Sequence, residues 1–161
     1  MKLLIGIGNP GEKYKNSRNN AGALCAQTLN SKFQVSNKLQ ILISQNFMND
    51  SGKFVSKIIR QSPFSTRDLY IAHDDLDILL GQYKIQFGVG PKVHNGVKSV
   101  EEALGTKDFW RIRIGIDSRP TSPAASRGKG EDFVLQDFTK EEVKILEGVF
   151  HKISEELKRK S

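Results

Sequence analysis

The sequence predicts an α/β fold: one three-layer α/β/α domain over residues 1–161, built on a mostly parallel mixed sheet. Three observations predict it. Apolar runs of strand length recur along the chain. Segments with apolar residues at helical spacing alternate with them. The first run, Lys2 to Ile7, is apolar almost without a break, as in a central strand covered on both faces. A length of 161 residues also suits a single core that needs no covalent staple.

Pro10 and Gly11 end the first strand. Beyond Asn20, residues Ala21, Leu24, Cys25, Thr28 and Leu29 recur at helical spacing, with Asn19 or Asn20 as the N-cap. Leu39 to Ser44 reads as a second strand. Phe54, Val55, Ile58 and Ile59 then give an amphipathic helix that Pro63 closes. Leu69 to Ala72 is a short strand delivering His73 and Asp74 at its end, and Tyr83 to Phe87 suits an antiparallel edge. A loop with Gly88, Gly90 and Pro91 leads to a helix marked by Val97, Val100 and Leu104. Trp110 to Ile116 alternates apolar and basic residues, placing Arg111 and Arg113 on one face of a strand. Residues 118–130, rich in Ser, Pro, Gly and Arg, read as a mobile loop. The last helix carries a capping box, Thr139 and Glu142, with Val143, Leu146, Phe150, Ile153 and Leu157 along its inner side.

The net charge of +7 favours a polyanionic partner such as nucleic acid, although many basic surfaces are merely solvated. Cys25 is the only cysteine, which excludes an internal disulfide and suits a reducing compartment; on the apolar side of its helix it reads as an inert core thiol. No run approaches the roughly 20 apolar residues of a membrane span, and the strand that follows Met1 leaves no room for a signal sequence. The expectation is a soluble chain.

Four polar motifs sit where apolar runs stop: Gly8-Asn9-Pro10-Gly11, Phe47-Met48-Asn49-Asp50-Ser51-Gly52, His73-Asp74-Asp75-Leu76-Asp77 and His94-Asn95-Gly96. In open α/β sheets the ligand site lies beyond the carboxyl ends of the strands, so Asn9, Asn49 and Asp74, each following such a strand, are expected to converge. Singly, each asparagine is a turn or cap residue. Gathered, Asn9, Asn49 and Asn95 offer uncharged donors and acceptors suited to a peptide backbone, a ribose or an oxyanion. Gly6-x-Gly8-x-x-Gly11 satisfies a dinucleotide fingerprint, but Pro10 donates no N–H and a polar stretch intervenes before the helix, which argues against that reading. The aspartates at 74, 75 and 77 lack the companion ligands of a metal site, and Asp75 and Asp77 read as solvated turn residues. No cofactor or metal is expected.

These motifs, with Ser17-Arg18-Asn19-Asn20-Ala21-Gly22, Arg111-Ile112-Arg113-Ile114-Gly115-Ile116 and Asp132-Phe133-Val134-Leu135, resemble the bacterial-type peptidyl-tRNA hydrolases over nearly the whole chain. That resemblance implies an enzyme cleaving the ester between a peptide and the 3′ end of tRNA by attack of water, releasing tRNA for reuse in translation. It further implies that Asp74 orients a histidine at position 19, which takes a proton from the water, and that Asn49 positions the water or stabilises the oxyanion. Asn9, Tyr14, Asn49 and Asn95 would contact the substrate, with Lys84 and Arg113 on the acceptor-stem phosphates. A monomer is implied, in the cytoplasm or, for a eukaryotic source, the mitochondrion.

One residue departs from the pattern. Asn19 stands where the family has its histidine, and an amide has no basic lone pair near neutral pH. Losing general-base help costs on the order of 10² to 10⁴ in rate. The expectation is a slow or inactive hydrolase, with a non-catalytic tRNA- or RNA-binding paralogue as the alternative. Asn19 could be engineered, a natural loss, or offset by another histidine, for which His73 and His94 are the candidates. The segment before Asn49 is also shorter than the family usually has, Gln86 occupies a position that is often basic, and Pro91-Lys92-Val93 replaces part of a glycine-rich loop. Lys84 and Lys92 could compensate in the phosphate grip.

Overall fold

The computed structural model describes residues 1–119 and 130–160. Five strands form one sheet: β1 (Lys2–Gly6), β2 (Leu39–Ile43), β3 (Leu69–Leu79), β4 (Tyr83–Phe87) and β5 (Trp110–Asp117), in the order β2-β1-β3-β5-β4. Only β4 runs antiparallel, along β5, so the sheet is mixed and mostly parallel as expected. The helices are α1 (Ala21–Lys32), α2 (Ser51–Gln61), α3 (Asn95–Leu104), α4 (Gly130–Leu135) and α5 (Lys140–Lys160).

The two-residue period of the strands divides the core into two layers. Leu4, Tyr70, Ala72, Ile112 and Ile114 face α1 and α5, where they meet Cys25, Leu29, Leu146, Phe150 and Ile153. Leu3, Ile5, Leu69 and Ile71 face α2 and α3, meeting Val55, Val97 and Val100. Both faces of the sheet are therefore covered, which is why β1 reads as a continuous apolar run. Cys25 is buried, and burial pushes its thiol up from the ordinary value, so it is the inert core residue expected.

Strand β3 is longer than expected. Its parallel pairing with β1 ends at Gly6 opposite Ala72, while pairing with β5 continues through Asp75 and resumes at Leu79 after an irregularity. The polar run His73-Asp74-Asp75 thus remains in the sheet but projects past the end of β1. Asp74 stands at the rim of the sheet even though it lies inside a strand.

Close approaches bring the ends of α1 and α3 to that rim. A Cβ on Gly22 would lie 2.1 Å from the Ala72 carbonyl oxygen, so only glycine lets the first turn of α1 press on β3. Likewise a Cβ on Gly96 would fall 2.4 Å from Met48 Sδ and 2.8 Å from Ile7 Cδ1. That contact seats the start of α3 on the turn that carries Asn49.

The helix α4 was absent from the sequence-based expectation, and most of the loop expected at 118–130 lies outside the described residues. In α5 the capping box forms in both directions: Thr139 N–H donates to Glu142 Oε1 at 2.8 Å and Glu142 N–H to Thr139 Oγ1 at 3.2 Å. Val143, placed on the inner side by its spacing, is instead partly exposed at 39 %. No described helix is long and apolar enough to cross a membrane.

Candidate active site

The loop after β1 is held by two asparagines acting on each other. Asn9 N–H donates to Asn20 Oδ1, and Asn20 Nδ2 donates back to the Asn9 carbonyl, both at 2.8 Å. This pairing explains why Asn20 precedes α1 without capping it through its side chain. Asn9 Oδ1 accepts from Met48 N–H at 2.7 Å, which ties the loop to the short 3-10 turn Met48–Asp50. The loop opens no helix: the 3-10 turn Arg18–Asn20 and then α1 begin well after Gly11. The glycine fingerprint therefore forms no pyrophosphate cradle at a helix N-terminus.

On the other side of position 19, Arg18 is buried, with both terminal nitrogens bonded and Nε without a partner. Its Nη2 meets Glu142 Oε1 at 2.8 Å, its Nη1 reaches the Phe133 carbonyl and Gln136, and its guanidinium lies 3.9 Å above the Phe133 ring. Burial alone would raise the Glu142 carboxyl, but bonds from Ser118, Thr139 and Arg18 outweigh it and hold the group below the usual carboxylate range. Residue 19 thus sits between two fixed neighbours.

At the rim of β3, His94 Nε2 lies 2.7 Å from Asp74 Oδ1. The other ring nitrogen of His94, Nδ1, accepts from Val97 N–H at 3.1 Å as the N-cap of α3. An accepting Nδ1 puts the proton of the neutral ring on Nε2, which donates it to Asp74. Burial disfavours charge on His94, while Asp74 nearby favours it and raises the group overall. His73 is fully buried, its Nδ1 2.8 Å from the Asp74 carbonyl and its Nε2 without a partner. Burial first, then the neighbouring His94, pushes His73 down to about 3.

Two expectations fail here. Asp75 is not a solvated turn residue: it is 1 % exposed and accepts from Arg113 Nε at 2.7 Å. Arg113 in turn is only 9 % exposed and also binds Gln86 at 2.8 Å, so it neutralises a buried carboxylate and is not free to grip a phosphate. Arg111 is buried as well, paired with Glu101 of α3 at 2.6 Å. Asp77 is exposed, as expected.

A cleft of about 680 Å³ opens between these elements. Of the expected site residues it brings together Asn9, Asn19, Asn49, Asp74 and Asn95. Tyr14, Lys84 and Arg113 do not line it: Tyr14 packs edge-on against Phe47, which does, and Lys84 is exposed on β4. The side chains of Asn19, Asn49 and Asn95 have no hydrogen-bond partner among the described residues, so their amides are available to a ligand. Reading the sequence missed the apolar walls formed by Phe47, Leu76, Pro91, Val93 and Val134. The exposed Phe47 and Val93 in polar loop sequence are the signal that could have found them. Lys92 adds a positive charge at the mouth. No group of three or more His, Cys, Asp or Glu that could hold a metal occurs among the described residues.

The family model for peptidyl-tRNA hydrolase matches residues 3–160. A peptidyl-tRNA hydrolase of Desulfitobacterium hafniense is 33 % identical over 94 % of this chain and 88 % of its own length. One from Mycobacterium leprae is 37 % identical over 86 % of this chain and 76 % of its own. Among solved structures, the peptidyl-tRNA hydrolase of Acinetobacter baumannii superposes with a TM-score of 0.79 at 26 % identity, covering 98 % of this chain and 87 % of that one. A hydrogenase maturation protease of Thermococcus kodakarensis, at 16 % identity and a TM-score of 0.53, shares the fold alone.

Proposed function

The chain belongs to the peptidyl-tRNA hydrolase family, and from that premise we propose that it hydrolyses the ester between a peptide, or an N-blocked aminoacyl group, and the 3′ end of tRNA, slowly because residue 19 is asparagine. The observation that carries the reading is the cleft itself, which Asn9, Asn19, Asn49 and Asn95 line together with Asp74. Uncharged amides bind a peptide backbone and a ribose without imposing charge, and they stabilise an oxyanion as it forms. Apolar walls beside them suit the side chains of the peptide.

The reaction needs a water molecule aimed at the ester carbonyl and a group to take its proton. Asn49 is exposed with a free amide, which suits it to position that water or to donate to the oxyanion. Asn9 is fixed through its side-chain oxygen by Met48 N–H, which leaves its NH₂ to donate to substrate. Asn19 can orient a water but cannot deprotonate it. Lys92 at the mouth and Lys84 on β4 are the candidates for phosphate contacts, acting on tRNA as a monomer in the cytoplasm, or in the mitochondrion of a eukaryotic source.

Asn19→His tests the reading. Turnover of an N-acetyl-aminoacyl-tRNA should rise a hundredfold or more by the general-base estimate, with little change in KM. Equal rates would remove position 19 from the chemistry. A second reading, a tRNA-binding paralogue that keeps the scaffold without chemistry, is favoured by Asn19 and the net charge of +7. Under it Asn19→His would bind tRNA with steep salt dependence and still release no peptide.

A further inference from the structure

We propose that in this protein the Asp74 carboxylate itself takes the proton from the attacking water, and that His94 is the positioning residue which holds it in place. The inference rests on the hydrolase reading above and concerns how that site works without a histidine at position 19.

The geometry first removes the obvious substitutes. A general base must present a free lone pair within reach of the water. His94 has none, because Nδ1 accepts from Val97 N–H and Nε2 carries the proton given to Asp74. Freeing Nδ1 would cost α3 its N-cap. His73 is sealed from solvent, does not line the cleft, and donates through Nδ1 to a backbone carbonyl. Neither imidazole can replace the missing one.

Asp74 has what they lack. Its Oδ1 is fixed by His94, while Oδ2 takes no hydrogen bond from any described residue and is not sealed from solvent. Asp74 lines the cleft together with Asn9, Asn19, Asn49 and Asn95, and Oδ2 is its oxygen left open to water there. Asparagine at position 19 offers Asp74 no N–H contact at bonding distance, so the carboxylate is left open to water. Arg113, the nearest buried cation on β5, is occupied by Asp75 and does not compete for it.

The step balances without any further reagent. Asp74 Oδ2 accepts a proton from water as the water oxygen bonds to the ester carbonyl carbon. The tetrahedral oxyanion, held by amide N–H groups, re-forms its C=O as the bond to the ribose oxygen breaks. The leaving ribose oxygen takes the proton back from the Asp74 carboxyl, giving a peptide acid and a free tRNA hydroxyl. Throughout, the His94 Nε2–H stays on Oδ1, so only Oδ2 changes its protonation.

The test is single-turnover hydrolysis of N-acetyl-aminoacyl-tRNA by the unaltered protein, Asp74→Asn, Asp74→Ala, His94→Asn and Asn19→His. Residual turnover should be measurable in the unaltered protein, fall at least tenfold in Asp74→Asn, and recover in Asp74→Ala when formate is added. His94→Asn keeps a good N-cap for α3 but deletes the bond to Asp74; it should lower the saturating single-turnover rate several-fold at an unchanged half-saturating enzyme concentration. Formate rescue of Asp74→Ala keeps the test sharp if Asp74→Asn folds poorly. Turnover in the unaltered protein no greater than in Asp74→Asn, together with no formate rescue, overturns the inference. Should Asn19→His be active in that case, the hydrolase reading survives and only the carboxylate base fails; if Asn19→His is inactive too, both fall.

Discussion

His73 makes the fold acid-sensitive in a way that can be worked out from its surroundings. The ring is fully buried, Nδ1 donates to the Asp74 carbonyl, and Nε2 has no partner. A proton on Nε2 would place an unpaired cation in the core with the His94 ring 5.1 Å away, which is why the group is pushed down to about 3. In the unfolded chain the same imidazole titrates near 6.5. Between those two values the unfolded state holds a proton that the native state lacks, so stability falls as the pH is lowered. Integrated from pH 7 to pH 5, the loss from this residue alone is about 2 kcal/mol. The perturbation is His73→Gln, which retains an N–H donor for the Asp74 carbonyl and cannot titrate. Urea unfolding of both proteins at pH 7, 6 and 5 gives the comparison, with His94, His151 and the carboxylates common to both. The unaltered protein should lose about 2 kcal/mol more than His73→Gln over that range. Parallel losses in the two proteins would refute the account of His73 as a neutral, buried and unpaired ring.

Two further substitutions test the supports of the site. Glu142→Ala removes both the partner of buried Arg18 and half of the capping box, and should destabilise the protein by about 3 kcal/mol in thermal or urea unfolding. Because the Glu142 carboxyl is held low in the native state, its contribution is present above the ordinary glutamate value and disappears as the pH falls below it; the difference between the two proteins should shrink in acid. Arg113→Gln leaves Asp75 buried without its cation and should cost about 3 kcal/mol while leaving the salt dependence of tRNA binding nearly unchanged. A stable Arg113→Gln protein whose salt slope drops by about one would instead restore Arg113 to the phosphate grip.

Which features were legible in the sequence follows from how local their causes are. The apolar run of β1 and the reciprocal cap of α5 are written within a few residues, and both appear where the pattern puts them. The convergence of Asn9, Asn49 and Asp74 was legible because a parallel sheet sends its strand ends to one edge, whereas Asn95 arrives with the start of α3 after the antiparallel β4. Arg111 and Arg113 misled because alternation of basic and apolar residues ordinarily marks a solvated face. What neutralises them, Glu101 and Asp75, lies 10 and 38 residues away, and only the fold brings it alongside. The extent of β3 was hidden for the same reason, since a strand burying the adjacent Asp74 and Asp75 is viable only where His94 and Arg113 satisfy them. For α4, six residues are too few for a period to declare itself.

Position 19 is where chemistry and folding separate most cleanly. On one side Arg18 is locked to Glu142, and on the other Asn20 is bonded twice to the backbone of Asn9. The backbone at residue 19 is therefore set by its neighbours, and its own side chain bonds to no described residue while it lines the cleft. A substitution there changes what the cleft can do without changing what holds it together. Surface and half-buried exchanges away from packing or bonded networks stay within about 0.5 kcal/mol. Asn19→His should accordingly leave the urea midpoint and slope unaltered while its rate of ester hydrolysis rises. A loss of several kcal/mol on introducing the histidine would mean that the Asn19 side chain itself supports the fold, and the separation of roles between residue 19 and its neighbours would have to be abandoned.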